Sequence, residues 1–255
     1  MSLQDLLAEI SEQYNQILAK NLVGIYVHGS IAFGCFNWQK SDIDFLVVVK
    51  TPLSQDVKLQ LFYVLENLRN QAPPKGFEMS VVLHDYCKNF VHPTPYEAHY
   101  SRGLHMKGDS HNEDLAASTL EYSSEYKTDA DLAAHFTIIT NIGIVLRGEP
   151  IENVFEVVPK KDYLDSIRND IINAKEDVVR DPVYIILNLC RVYAYIKDEL
   201  ILSKEQGGRW GLANLPKQYH SLIESMVNNY VSGELFIKDE TLQVDFCRYM
   251  LDLIF

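Results

Sequence analysis

Cysteine is scarce: four residues in 255, at positions 35, 87, 190 and 247, none of them in a CxxC pair. That suits a reduced, cytoplasmic thiol set better than a disulfide-stapled secreted scaffold or a cysteine-ligated zinc site. Long apolar runs are missing too. The longest unbroken strongly apolar stretch is Phe45 to Val49, and the richer segment Val183 to Ile196 is interrupted by Asn188 and Arg191. Neither approaches the ~18 residues that span a bilayer, so no membrane partner is expected. Gln4, Asp5 and Glu9 occupy the place where a secretory leader would have a basic flank and an apolar stretch. With 12 glycines and 9 prolines the chain is neither fibrous nor low-complexity. Basic residues are outnumbered, 23 Lys and Arg against 35 Asp and Glu, for a net charge of −12. Such a field repels long nucleic acid and attracts polycations.

What is present divides into two halves. Leu3, Leu6, Leu7, Ile10, Tyr14, Ile17 and Leu18 follow the helical period, so residues 3–19 are predicted as an amphipathic helix. Leu22 to His28 and Ile43 to Val49 read as strands, the second apolar enough to be buried on both faces. A helix through Val57 to Leu68 precedes a third β-type run, Phe77 to Leu83, giving the order αβαβαβ. Periodicity fades over 84–128, which reads as irregular with short helices, and resumes in one helical stripe from Leu132 to Leu146 that ends at Gly148-Glu149-Pro150. Beyond Pro159 every strong signal is helical. Asp181-Pro182 and Ser203-Lys204-Glu205-Gln206 are well-formed helix starts, the first an N-cap before proline, the second a capping box. The expectation is an α+β fold: a mixed-sheet domain over 1–150 and an all-α bundle over 151–255.

The chemistry concentrates in Val27-His28-Gly29-Ser30, followed after eleven residues by Asp42-Ile43-Asp44. Residues two apart on a strand share a face, so Asp42 and Asp44 present their oxygens together at the start of a rigid element. Paired carboxylates there suit Mg²⁺, which is commonly shared between protein carboxylates and substrate phosphates. Gly29 allows close approach of a phosphate, and the Ser30 hydroxyl, the turn amides and Ser41 supply donors. Glu78 opens the third strand-like run, and on a neighbouring strand it would join the pair. An isolated D-x-D is common; the strand, the Gly-Ser turn and the third acid in the right order make the combination specific.

On these residues the sequence resembles the DNA polymerase β type nucleotidyltransferase superfamily, and within it the streptomycin/spectinomycin (aminoglycoside) adenylyltransferases. The likeness extends through the stretch around Glu78, Asp131 in DADLA, Arg191 in LNLCRVY, Ser203-Lys204, Trp210 and Leu215-Pro216, nearly the whole chain. It implies a nucleotidyltransferase domain followed by a helical domain, with drug and MgATP bound in the cleft between them, and transfer of AMP from ATP to a drug hydroxyl. It implies Glu78 as general base, with Asp42, Asp44 and Glu78 around two Mg²⁺ ions. Gly29, Ser30, Ser41, Asp131, Arg191, Lys204 and Tyr230 would contact nucleotide, and Tyr100, Asp177 and Asp181 the cationic drug. Tyr100 and Ile172 stand where the family has tryptophans.

The residues alone leave alternatives. Arg191, mid-helix near Asn188, either reaches solvent or is aimed at an anion. Asp181 serves as N-cap, drug contact or both. Histidines 84, 92, 99, 105 and 111 have no metal-ligand spacing and read as loop residues. A monomeric cytoplasmic adenylyltransferase acting on spectinomycin or streptomycin is the leading expectation. The same core acting on another small molecule or a protein, and a non-catalytic nucleotide-binding module, are the alternatives.

Overall fold

A computed structural model describes residues 1–101, 127–236 and 238–255. The chain divides into two compact units, Met1–Val158 and Pro159–Phe255. No helix among the described residues is long and apolar enough to cross a membrane.

The first unit opens with α1 (Leu3–Leu18), started by a capping box in which Ser2 and Asp5 satisfy each other's backbone amides. It is followed by β1 (Leu22–Val27), the single turn α2 (Gly29–Ala32), β2 (Ile43–Val49), α3 (Gln55–Leu68) and β3 (Phe77–Leu83). This is the αβαβαβ order expected. Short elements come next: α4 (His84–Lys88), β4 (Thr94–Tyr96), β5 (Ala98–Ser101) and β6 (Lys127–Asp129). The unit ends with α5 (Leu132–Ile142), β7 (Ile144–Gly148) and α6 (Ile151–Val154).

Five strands form a mixed sheet in the order β5-β3-β2-β1-β7. β2 and β3 are parallel, and the other neighbours are antiparallel. Every residue of central β2 is buried, which explains its unbroken apolar run. Ile43, Phe45, Val47 and Val49 project onto α1 and α3, joining Leu6, Ile10, Tyr14, Leu61 and Leu65 in one core. The opposite face carries Tyr26, against whose ring Phe155 packs edge-on, with Phe136 of α5 beyond it.

Three boundaries depart from the sequence reading. The helix expected to run to Leu146 stops at Ile142, where the Gly143 amide donates to the Ile139 carbonyl and the chain turns extended. Residues 144–148 instead pair with β1 as an edge strand; an apolar run this short fits either period. Within 84–128, β4 and β5 replace part of the expected irregular segment, and His105 and His111 lie outside the described residues. The first unit also runs eight residues past 150. Phe155 is held between Tyr26 and Phe136, and the Glu156 amide donates to the Cys87 carbonyl at 2.9 Å.

The second unit is all helical: α7 (Lys160–Asn169), α8 (Ala174–Asp177), α9 (Pro182–Asp198), α10 (Lys204–Asn214), α11 (His220–Ser232) and α12 (Glu240–Ile254). Both expected helix starts form, Asp181 capping α9 and the Ser203/Gln206 box capping α10. Gly207-Gly208 lets α10 lie directly on its neighbours: a Cβ on Gly208 would stand 2.7 Å from Leu187 and 2.4 Å from Val227.

Cys87, Cys190 and Cys247 are buried, and burial pushes all three thiols up, Cys190 to about 12 and Cys247 to about 11. Because the thiolate is the reactive form, none of the three should take up iodoacetamide at pH 8 until denaturant is added. Peptide mass spectrometry would reveal native-state labelling at any of them, and such labelling would contradict this packing.

Candidate active site

Parallel in-register pairing makes Asp44 and Glu78 direct partners across β2 and β3. Asp42, one residue before β2, returns to the face of Asp44 by the two-residue repeat. One carboxylate oxygen from each of the three lies within 4.8 Å of the others. Asp44 is buried, while Asp42 and Glu78 are half-buried. Three carboxylates this close repel one another, and the all-oxygen donor set fits a hard divalent cation such as Mg²⁺.

Gly29 packs against this cluster. Its φ of +59° is in the left-handed region, and a Cβ there would lie 1.8 Å from Asp44 Oδ2. Only glycine meets both conditions. The next residue, Ser30, has a buried Oγ with no hydrogen-bond partner among the described residues, as expected of a donor that completes its bonding with a ligand. The Ser41 hydroxyl oxygen accepts from the Asn37 amide at 3.1 Å, fixing the turn that delivers Asp42.

Two histidines adjoin the acids, and the sequence reading gave them no role. The His28 amide donates to the Asp44 carbonyl at 3.0 Å, and its ring lies 4.5 Å from that of His135 on α5. Burial, reinforced by His135, holds His28 well below the usual imidazole range. His135 Nε2 is 4.0 Å from Glu78 Oε1. The available signal was the position of His135 one helical turn after Asp131, its amide donating to the Asp131 carbonyl. Asp131 itself is exposed at the start of α5.

Tyr100 is not brought to this site. It pairs with Met79, one residue out of phase with Glu78, so its ring enters the α3 side of the sheet beside Phe62, and its hydroxyl donates to Glu66 at 2.7 Å. The strand's pleat instead puts Ser101 opposite Glu78, and His99 opposite Ser80 with a 2.9 Å side-chain hydrogen bond.

In the second unit Arg191 is pinned rather than loose on the surface. Its Nε donates to the Leu202 carbonyl at 2.8 Å and its Nη1 to Asn188 at 2.7 Å. Lys204, the first residue of α10, holds its ammonium 5.1 Å from the centre of the Tyr184 ring. Asp181 accepts from the Tyr184 amide at 3.3 Å, and Asp177 pairs with Arg180 at 2.6 Å. Both acids therefore have structural roles of their own. Tyr230 is half-buried near the end of α11.

A mixed sheet presenting Asp-x-Asp and Glu from parallel neighbours, beside a Gly-Ser turn, matches the pattern on which the sequence resembles the polymerase β type nucleotidyltransferases. Residues 7–87 match the family described as nucleotidyltransferase domain, and residues 153–252 that described as aminoglycoside adenylyltransferase, C-terminal domain. In both halves the chain is therefore similar to the aminoglycoside adenylyltransferases, and these likenesses support a nucleotidyltransferase enzyme. An aminoglycoside (3'')(9) adenylyltransferase from Shigella flexneri is 25% identical over 243 residues, 89% of this chain and 88% of the relative. A spectinomycin 9-adenylyltransferase from Staphylococcus aureus is 24% identical over 84% of this chain and 80% of its own length. Among solved structures, spectinomycin adenyltransferase AAD(9) from Enterococcus faecialis, with ATP and spectinomycin, shares the fold with a TM-score of 0.82 at 19% identity, over 99% of both chains.

Proposed function

We propose that this enzyme transfers AMP from MgATP to a hydroxyl of a cationic aminocyclitol or aminoglycoside, with spectinomycin and streptomycin as the acceptors to test, and so confers resistance. The observation that carries the reading is the convergence of Asp42, Asp44 and Glu78 beside the Gly29 turn. Glu78 accepts the proton of the acceptor hydroxyl as its oxygen bonds to the α-phosphorus and the bond to pyrophosphate breaks. Two Mg²⁺ ions held by the acids, with Glu78 sharing one, would supply charge stabilisation for the attacking oxygen and the leaving pyrophosphate. The Gly29-Ser30 amides and the Ser30 hydroxyl hold phosphate oxygens, and Ser41 and Asp131 are the further nucleotide contacts that the family resemblance implies for this unit. Arg191 and Lys204 supply cations for the polyphosphate, and Tyr230 an adenine neighbour. Asp181 and Asp177 are the acids offered to the cationic acceptor. The few, widely spaced cysteines favour a reducing, cytoplasmic setting; the enzyme would act there as a monomer.

Pyrophosphate release from ATP with each drug tests the proposal. The wild-type protein should turn over at least one, and Glu78→Gln should lose about 10²–10⁴-fold in kcat, the usual worth of a general base. EDTA should abolish the reaction and added Mg²⁺ restore it. Turnover that survives exhaustive chelation would remove the acidic cluster from the mechanism. The inward turn of Tyr100, which withdraws one aromatic ring from the acceptor side, favours a second reading in which the acceptor is a different small molecule or a protein. AMP incorporation across an acceptor panel separates the two.

A further inference from the structure

His135 adjoins Glu78 without being one of the acids, and its two ring nitrogens are in different situations. Nδ1 is buried with no hydrogen-bond partner among the described residues, whereas Nε2 faces Glu78 Oε1 at 4.0 Å. A buried N–H with no acceptor costs more than a buried lone pair, so the ring proton belongs on Nε2, the nitrogen that faces the carboxylate. The ring is also held in place. His28 lies against it at a centroid distance of 4.5 Å, and the His28 backbone is tied to that of Asp44 by the 3.0 Å amide bond. The imidazole therefore lies between the His28 ring and the Glu78 side chain.

We infer that His135 is a positioning residue: its Nε2–H hydrogen-bonds the Glu78 carboxylate and turns the other carboxylate oxygen toward the acceptor hydroxyl. At 4.0 Å the pair stands beyond hydrogen-bond distance without substrate, and the bond forms by a small rotation of the Glu78 side chain. The inference rests on the reading of Glu78 as general base, and it adds a residue to that site. His28 serves as the backing for the ring and touches no reacting atom.

Two measurements test it. Nitrogen-resolved NMR of the histidine rings in the intact protein should show His135 protonated at Nε2, with that resonance moving in Glu78→Ala. A proton on Nδ1, or a resonance indifferent to Glu78, overturns the inference whatever the enzyme's acceptor. In kinetics, His135→Leu should lose about tenfold or more in kcat, the worth of one hydrogen bond to a charged group, with KM for ATP unchanged. His135→Gln, which restores an N–H at comparable reach, should recover most of that loss. A merely structural role predicts the opposite pattern, a lowered melting temperature with kcat intact in the folded fraction and no rescue by Gln. Should Glu78→Gln itself retain wild-type kcat, the base assignment fails, and the NMR result still decides whether His135 bonds to Glu78.

Discussion

Asp44→Asn is expected to lower pyrophosphate release from ATP by about a thousandfold or more while leaving the protein folded. The two halves of that expectation have different origins. Asn has nearly the shape of Asp, so the tight packing of Gly29 against this side chain is preserved. The substitution also removes one of three mutually repelling charges, which eases rather than strains the folded state. Asp44 is, however, the most buried of the three acids and the direct partner of Glu78 across the parallel strands. Without its charge the cluster keeps two carboxylates for its cations, and a thousandfold corresponds to about 4 kcal/mol of lost transition-state stabilisation, the scale of a bound cation's electrostatic contribution. Steady-state kinetics read the first half and a thermal melt the second. Turnover within tenfold of wild type would show that the acids do not form a working metal centre. A collapsed melting temperature would show that the Asp44 carboxylate is needed by the fold.

The three acids were legible in the sequence because each link is local. Asp42 and Asp44 share a face through the two-residue repeat, and Glu78 opens the next strand run, so only the pairing of β2 with β3 remained to be supplied. The helical unit was legible for a similar reason, since caps such as Asp181 and Ser203 are defined within four residues. Tyr100 was not legible. Its direction depends on the register of β5 against β3, and a one-residue shift exchanges Tyr100 for Ser101 beside Glu78. His135 was hidden for a related reason: its proximity to His28 arises from α5 packing on the sheet, a contact 107 positions apart (135 − 28) that no local pattern encodes. Strand β7 was lost in the apolar stretch Ile142 to Leu146, where helix and edge strand look alike until the pairing with β1 is known.

Gly29→Ala should be nearly as damaging to activity as the loss of Asp44, and here a second glycine separates the causes. At φ +59° an alanine costs about 1–2 kcal/mol of left-handed strain, which for a protein of this size lowers Tm by roughly 2–8 °C. Gly34 has φ +70°, and no atom of the described residues lies within 4 Å of where its Cβ would stand, so an alanine there carries the same backbone cost without a collision. Gly34→Ala should therefore show the stability loss alone, with kcat close to wild type. Gly29→Ala adds a clash: its Cβ would lie 1.8 Å from Asp44 Oδ2 and 2.6 Å from Cγ. The short Asp44 side chain has little room to yield except by swinging its carboxylate out of the cluster. The expected result is a Tm change similar in the two variants and a kcat difference of two orders of magnitude or more, about 3 kcal/mol in the barrier. Equal activity in both would mean that the position of the Asp44 carboxylate against Gly29 is not the reactive arrangement, and the chemistry assigned to the three acids would have to be reassigned to a rearranged site.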